Sequence, residues 1–68
     1  MVGKVKFFDE KKGYGFIKGD DGKDYFVHFS SIQGDGFKKL EKDQAVTFEA
    51  DRNEKGDFAK NVYAVNEN

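Results

Sequence analysis

An all-β domain, built as a small antiparallel barrel or sandwich, is the fold class this sequence predicts. Three observations point to it. Five short stretches rich in Val, Ile, Phe and Tyr are separated by turns rich in Gly, Asn and Asp. No window repeats apolar residues at the 3, 4 and 7 spacing of an amphipathic helix. With 68 residues, the chain is expected to form one domain over 1–68, whose core leaves a narrow margin over chain entropy.

The first expected strand is Gly3–Phe8. The second, Gly13–Lys18, and the third, Asp24–Phe29, carry two aromatic stretches, Lys12-Gly13-Tyr14-Gly15-Phe16-Ile17 and Tyr25-Phe26-Val27-His28-Phe29. Between them, Lys18-Gly19-Asp20-Asp21-Gly22-Lys23-Asp24 reads as a hairpin turn. A longer connection follows, through Ser30-Ser31-Ile32, the glycine-rich Gln33-Gly34-Asp35-Gly36, and Phe37-Lys38-Lys39-Leu40. The fourth strand is expected at Gln44–Asp51, a turn at Asn53–Asp57 and the fifth strand at Ala59–Val65. Proline is absent, so no X-Pro bond slows refolding.

Side chains alternate along a strand. Pairing the second and third strands therefore sets Tyr14, Phe16, Phe26 and His28 on one face, and Gly13, Gly15, Ile17, Tyr25, Val27 and Phe29 on the other. Large apolar residues ordinarily lie inside, which would make the aromatic face the core. Three features reverse that assignment. Ile17 and Val27, with the two glycines, suit a tightly curved interior. His28 belongs more easily on a wet face. Lys6 and Lys12 border the aromatic side. An exposed aromatic patch of this kind marks a binding surface. The expected core is then Val5, Ile17, Val27, Ile32, Val46, Phe48 and Val62, with Leu40 as a plug.

Composition narrows the function. The chain has no cysteine, so neither a disulfide nor a thiolate metal site is available. A lone histidine with scattered carboxylates makes no metal site, and Asp20, Asp21 and Asp24 read as turn residues rather than a calcium loop. No cofactor is implied. The longest apolar run, Val62-Tyr63-Ala64-Val65, is far short of a membrane span, and no apolar stretch follows Met1-Val2-Gly3-Lys4 as in a secretory signal. A cytoplasmic protein with no membrane partner is expected. The net charge of −1 is unusual for a nucleic-acid binder. It is unevenly spread, however: residues 1–18 carry +3 and residues 19–68 carry −4, so the positive end coincides with the first aromatic stretch.

Rings edged by lysines are suited to stacking on unpaired bases. Lys12–Ile17 also matches the opening of the first ribonucleoprotein motif, Lys or Arg, Gly, an aromatic, Gly or Ala, Phe, then Val or Ile. In an RNA recognition motif the second aromatic stretch precedes that motif. Here it follows, after a hairpin turn, and that order resembles the cold shock domain of bacterial cold shock proteins. The resemblance runs through Gly3-Lys4-Val5-Lys6-Phe7-Phe8, Lys12–Ile17, Phe26-Val27-His28-Phe29-Ser30, Ile32-Gln33-Gly34, Gly36-Phe37-Lys38 and Ala59-Lys60-Asn61-Val62.

The resemblance implies a five-stranded antiparallel barrel of the oligonucleotide-binding type; that the protein is not an enzyme is expected because a chain this small has little room for a deep active-site pocket. A monomer is expected. The resemblance implies binding to single-stranded RNA and DNA with a modest preference for pyrimidine-rich stretches. It further implies an RNA chaperone affecting transcription and translation. By position it assigns stacking roles to Phe7, Tyr14, Phe16, Phe26, His28, Phe29 and Phe37, and polar contacts to Lys6, Lys12 and Asp24. Phe29 is thus placed at the ligand although strict alternation turns it inward. The chain departs from the pattern at Phe7, usually tryptophan, at Asp9, usually asparagine, and at Asp57, often proline. Phe58 stands where other members often carry a polar residue, and either extends the stacking face or covers the barrel end. Two other functions fit the residues less well. One is a barrel whose aromatic groove takes a peptide. The other is a ribonuclease with His28 as general base, for which no acid partner or oxyanion donor is evident.

Overall fold

The computed structural model describes residues 1–33 and 40–65. Five strands, β1 (Val2–Asp9), β2 (Tyr14–Gly19), β3 (Asp24–His28), β4 (Ala45–Asn53) and β5 (Gly56–Ala64), close into a barrel in the order β1-β2-β3-β5-β4. Neighbours pair antiparallel, except that β3 meets β5 through a single parallel pair, Phe26 with Phe58. Closure removes the free strand edges that an open sheet of this size would expose.

The core is mostly aliphatic, as the reversed reading of the faces requires, with Tyr25 and Phe48 as its two aromatic members. Val5, Ile17, Val27, Ile32, Leu40, Val46, Phe48 and Val62 are all buried, joined by Tyr25 and Ala59. Leu40 sits among them as the expected plug. Tyr25 brings a hydroxyl toward the barrel's end, where it donates to Asp21 Oδ2 at 2.5 Å. Asp21 Oδ1 accepts the Lys23 backbone N–H at 3.0 Å, so this carboxylate holds the β2–β3 turn together. The shared hydrogen bond, then burial, pushes the Tyr25 phenol up to about 12. The same bond, then the Lys23 N–H, lowers Asp21 below the usual carboxylate range.

Two irregularities shape the barrel. In β1, Val5 pairs with Ile17 but Phe7 pairs with Phe16, so Lys6 is an extra residue. This bulge reverses the inside–outside alternation, leaving Val5 in the core and Phe7 outside. In β5, Thr47 pairs with Tyr63 and Glu49 with Lys60, so Asn61 and Val62 together oppose Phe48. Asn61 takes φ 49°, a left-handed conformation that asparagine tolerates, and its amide donates to Glu49. That extra residue allows both Ala59 and Val62 to point inward.

Gly15 marks the tightest approach between β1 and β2. A Cβ there would lie 2.2 Å from the Phe7 carbonyl oxygen and 2.7 Å from Phe8 Cα. Both are backbone atoms that cannot step aside. Only glycine lets β1 cross β2 this closely.

The strand boundaries differ from expectation in instructive places. Gly13 precedes β2 rather than opening it, because its φ of 77° belongs to the β1–β2 turn. β3 ends at His28, and Phe29–Ser31 forms a 3₁₀ turn in which Ile32 N–H donates to Phe29 C=O at 3.1 Å. This turn releases Phe29 from the inward side that strict alternation gave it. β5 begins at Gly56, since Asn53 pairs with Gly56 across a two-residue turn held by the Asn53 side chain on the Lys55 N–H at 2.8 Å.

Candidate nucleic-acid interface

On the outer face of β1, β2 and β3 the rings form a continuous ribbon. The bulge at Lys6 turns Phe7 toward Phe16, with ring centroids 5.7 Å apart and planes tilted 44°. Phe16 meets Phe26, its cross-strand partner, edge to face at 5.7 Å. Tyr14 lies nearly parallel to Phe26, again at 5.7 Å. Tyr14 is also the cross-strand partner of His28, whose ring sits 4.6 Å from that of Phe29. The order Phe7, Phe16, Phe26, Tyr14, then His28 and Phe29 therefore runs across the sheet. Phe7, Phe26 and Phe29 are 44%, 37% and 45% exposed, values far from those of core aromatics. The core closes without them.

His28 and Phe29 are positioned by local bonds. The Ser30 backbone N–H donates to His28 Nδ1 at 3.3 Å, and Ser30 Oγ lies 2.9 Å from the same nitrogen. A backbone N–H can only donate, so Nδ1 acts as an acceptor and the neutral ring carries its proton on Nε2. That N–H has no acceptor among the described residues. The Phe29 N–H donates to Gly13 C=O at 2.8 Å, and the Phe29 ring lies where a Gly13 side chain would begin, 2.8 Å from an ideal Cβ. Gly13 therefore serves twice, through its positive φ and through the room it leaves for that ring.

The polar residues behave differently from one another. Lys6 Nζ and Asp24 Oδ2 are 3.1 Å apart, an exposed ion pair beside the ring ribbon. Lys12 is exposed in the β1–β2 turn and makes no ion pair among the described residues. Asp9 adds less open charge to this face than its sequence position suggests. Its carboxylate accepts the backbone N–H groups of Lys11 at 2.9 Å and Lys12 at 3.1 Å, and so holds the turn. Phe37 lies outside the described residues.

The structure thus brings together Lys6, Phe7, Lys12, Tyr14, Phe16, Asp24, Phe26, His28 and Phe29 along one side of the barrel. Phe58 borders the same surface. It is half-buried on β5 and, with Phe16, Phe26 and the β4–β5 turn, lines a groove of about 380 Å³. Lys55 in that turn was not singled out by its sequence context. Phe58 was legible in principle: a fifth strand starting at Gly56, with Ala59 turned inward, sends Phe58 outward.

These features define a class, a closed five-stranded barrel of the oligonucleotide-binding type with rings displayed on one outer face. Comparison with known proteins narrows it. Residues 1–65 match the model of the "Cold-shock" DNA-binding domain. The chain is 58% identical over 60 residues to Cold shock protein 1 of Lactiplantibacillus plantarum, covering 88% of this chain and 91% of that protein. It is 54% identical over 65 residues to a cold shock-like protein of Thermotoga maritima, covering 96% and 98%. It is 56% identical over 66 residues to the cold shock-like protein CspC of Buchnera aphidicola, covering 96% of each chain. The chain belongs to the cold-shock domain family, and nucleic-acid binding is the function that family carries. No helix among the described residues is long and apolar enough to cross a membrane.

Proposed function

We propose that this protein is a non-catalytic, monomeric binder of single-stranded RNA and DNA that takes unpaired bases onto the Phe7–Phe16–Phe26–Tyr14 ribbon and the His28–Phe29 pair. In the cell it acts as an RNA chaperone in the cytoplasm, holding strands unpaired and thereby influencing transcription and translation. One observation carries the reading: a run of rings, each 5.7 Å from the next, lies outside a core that is complete without it. Stacking tolerates any base because each has a π-face. Pyrimidine-rich stretches are preferred because their weaker self-stacking leaves the bases easier to splay. Lys12 meets a phosphate. The Lys6–Asp24 pair offers both a donor and an acceptor to a base edge.

The charge makes the reading testable. With a net charge of −1, and with Lys6 already matched by Asp24, phosphate attraction is a minority of the affinity. Engaging about 2–4 phosphates gives a slope of log K against log salt of about −1.5 to −3 for single strands. Fluorescence-anisotropy titration of a labelled heptathymidylate over a salt series measures it, alongside a duplex of the same length. The single strand should bind much more tightly than the duplex, whose base faces are hidden. A slope steeper than about −5, or equal affinity for the duplex, would mean that phosphates and not rings dominate.

A further inference from the structure

We propose that the groove between β3 and the β4–β5 turn is an additional base-binding slot, in which one unpaired nucleobase stacks on Phe58 while Lys55 meets the adjoining phosphate. This inference rests on the single-strand reading above and extends its surface onto β5.

The parallel pairing of Phe26 with Phe58 sets both residues on neighbouring strands at the seam where the barrel closes. Side by side on a sheet, two such rings would ordinarily pack together. Phe58 takes no part in the contacts that join Phe7, Phe16, Phe26 and Tyr14. Instead Phe16, Phe26 and Phe58 line a groove of about 380 Å³, within the size range of small-molecule sites. A flat ring is the shape that such a wall set accepts, and the groove continues directly from the ribbon.

The turn supplies the polar complement. Asn53 Oδ1 is taken by the Lys55 backbone N–H at 2.8 Å, which leaves the Asn53 amide N–H groups to donate. Asp57 contributes an acceptor, with its charge partly offset by Arg52 Nε at 3.9 Å. Donor and acceptor together match the edge of any nucleobase. The Lys55 ammonium forms no ion pair among the described residues. It is a cation at the mouth of an otherwise ring-lined slot, which fits a base and its phosphate better than an apolar peptide side chain.

The test combines mapping with substitution. Heptathymidylates carrying 5-iodouracil at each position in turn are irradiated with the full chain, and adducts are located by peptide mass spectrometry. An adduct on Phe58 is expected in addition to adducts on Phe16 and Phe26. Phe58→Leu, which keeps apolar bulk but removes the π-face, should weaken heptathymidylate binding by about 5- to 100-fold. Phe58→Tyr should bind like the parent. Adducts on Phe16 and Phe26 but none on Phe58, with unchanged affinity of Phe58→Leu, would overturn the slot and leave the ribbon standing. Absence of adducts at all three would instead overturn the single-strand reading itself. If Phe58→Leu proves unfolded by circular dichroism, the adduct map of the parent chain decides alone.

Discussion

The two faces of the β2–β3 hairpin hold adjacent residues with opposite duties. Val27 and Ile17 are fully buried, while their neighbours Phe26 and Phe16 stand outside. At these four positions the larger side chains are on the surface and the smaller, branched ones in the core, while Tyr25 is the one ring of the hairpin turned inward. Burying a phenylalanine would contribute more to folding than burying a valine. The chain forgoes that stability at these positions and keeps those rings available, while the barrel interior is filled by branched residues together with Tyr25 and Phe48. Ring exposure and barrel curvature are one arrangement: Gly15, which lets β1 cross β2 closely, lies between Tyr14 and Phe16, which carry rings on the outside.

The strongest way to break this arrangement is at the crossing. Gly15→Ala puts a Cβ against the backbone of Phe7 and Phe8, with no flexible atom to yield. A loss exceeding about 3 kcal/mol is expected, enough to unfold much of a domain this small. Urea unfolding checks it, and a near-parental midpoint would show that β1 moves away freely.

Substitution on either side of one peptide bond sharpens the contrast. Val27→Ala should lower stability by about 2 kcal/mol, with single-strand affinity kept wherever the protein is folded. Phe26→Ala should do the reverse, weakening binding by about 1–3 kcal/mol with a smaller change in stability, and Phe16→Ala should behave alike. Paired urea unfolding and anisotropy titrations separate the two. If Phe26→Ala unfolds the protein and spares binding, inner and outer faces have been exchanged.

A milder probe is Lys12→Gln. It should make the salt slope shallower by less than one unit, whereas Phe26→Ala should lower affinity at every salt and leave the slope nearly unchanged. Parallel slopes for the parent and Lys12→Gln would remove Lys12 from the phosphate contacts.

The smallest expected effect concerns the barrel end. Tyr25 has a folded value raised to about 12 from 10.0, so it binds protons more tightly when folded. Its contribution is fully present below about pH 10 and is lost as pH rises toward 12. Asp21 is lowered from 3.8, so its contribution is present above about pH 4 and fades as pH falls further. Tyr25→Phe should therefore lower the melting temperature between those limits and flatten the alkaline decline relative to the parent. Unchanged melting curves from pH 9 to 12 would show that the hydrogen bond to Asp21 contributes nothing to folding.

Much of the molecule is legible in its sequence. Alternation with turn residues between strands was enough for five strands and for most of the core, because a strand with one buried face must repeat every two residues. Lys12–Ile17 followed by Tyr25–Phe29 identified the ring face, since cross-strand pairing of two such runs leaves little freedom in which rings meet. Three things depended on the closed barrel. The first is the bulge at Lys6, which brings Phe7 out beside Phe16: period-two alternation starting from Val5 would have turned it inward, and an inserted residue leaves no local signature. The second is the 3₁₀ turn that carries Phe29 over Gly13, set by bonds to His28 and to Gly13 that join separate elements. The third is the position of Phe58 beside Phe26, which exists only because β3 and β5 meet in parallel at the seam. Local pattern determined which residues form strands and which face of each is apolar; register, bulges and closure decided which rings became neighbours, because those depend on contacts between residues far apart in the chain.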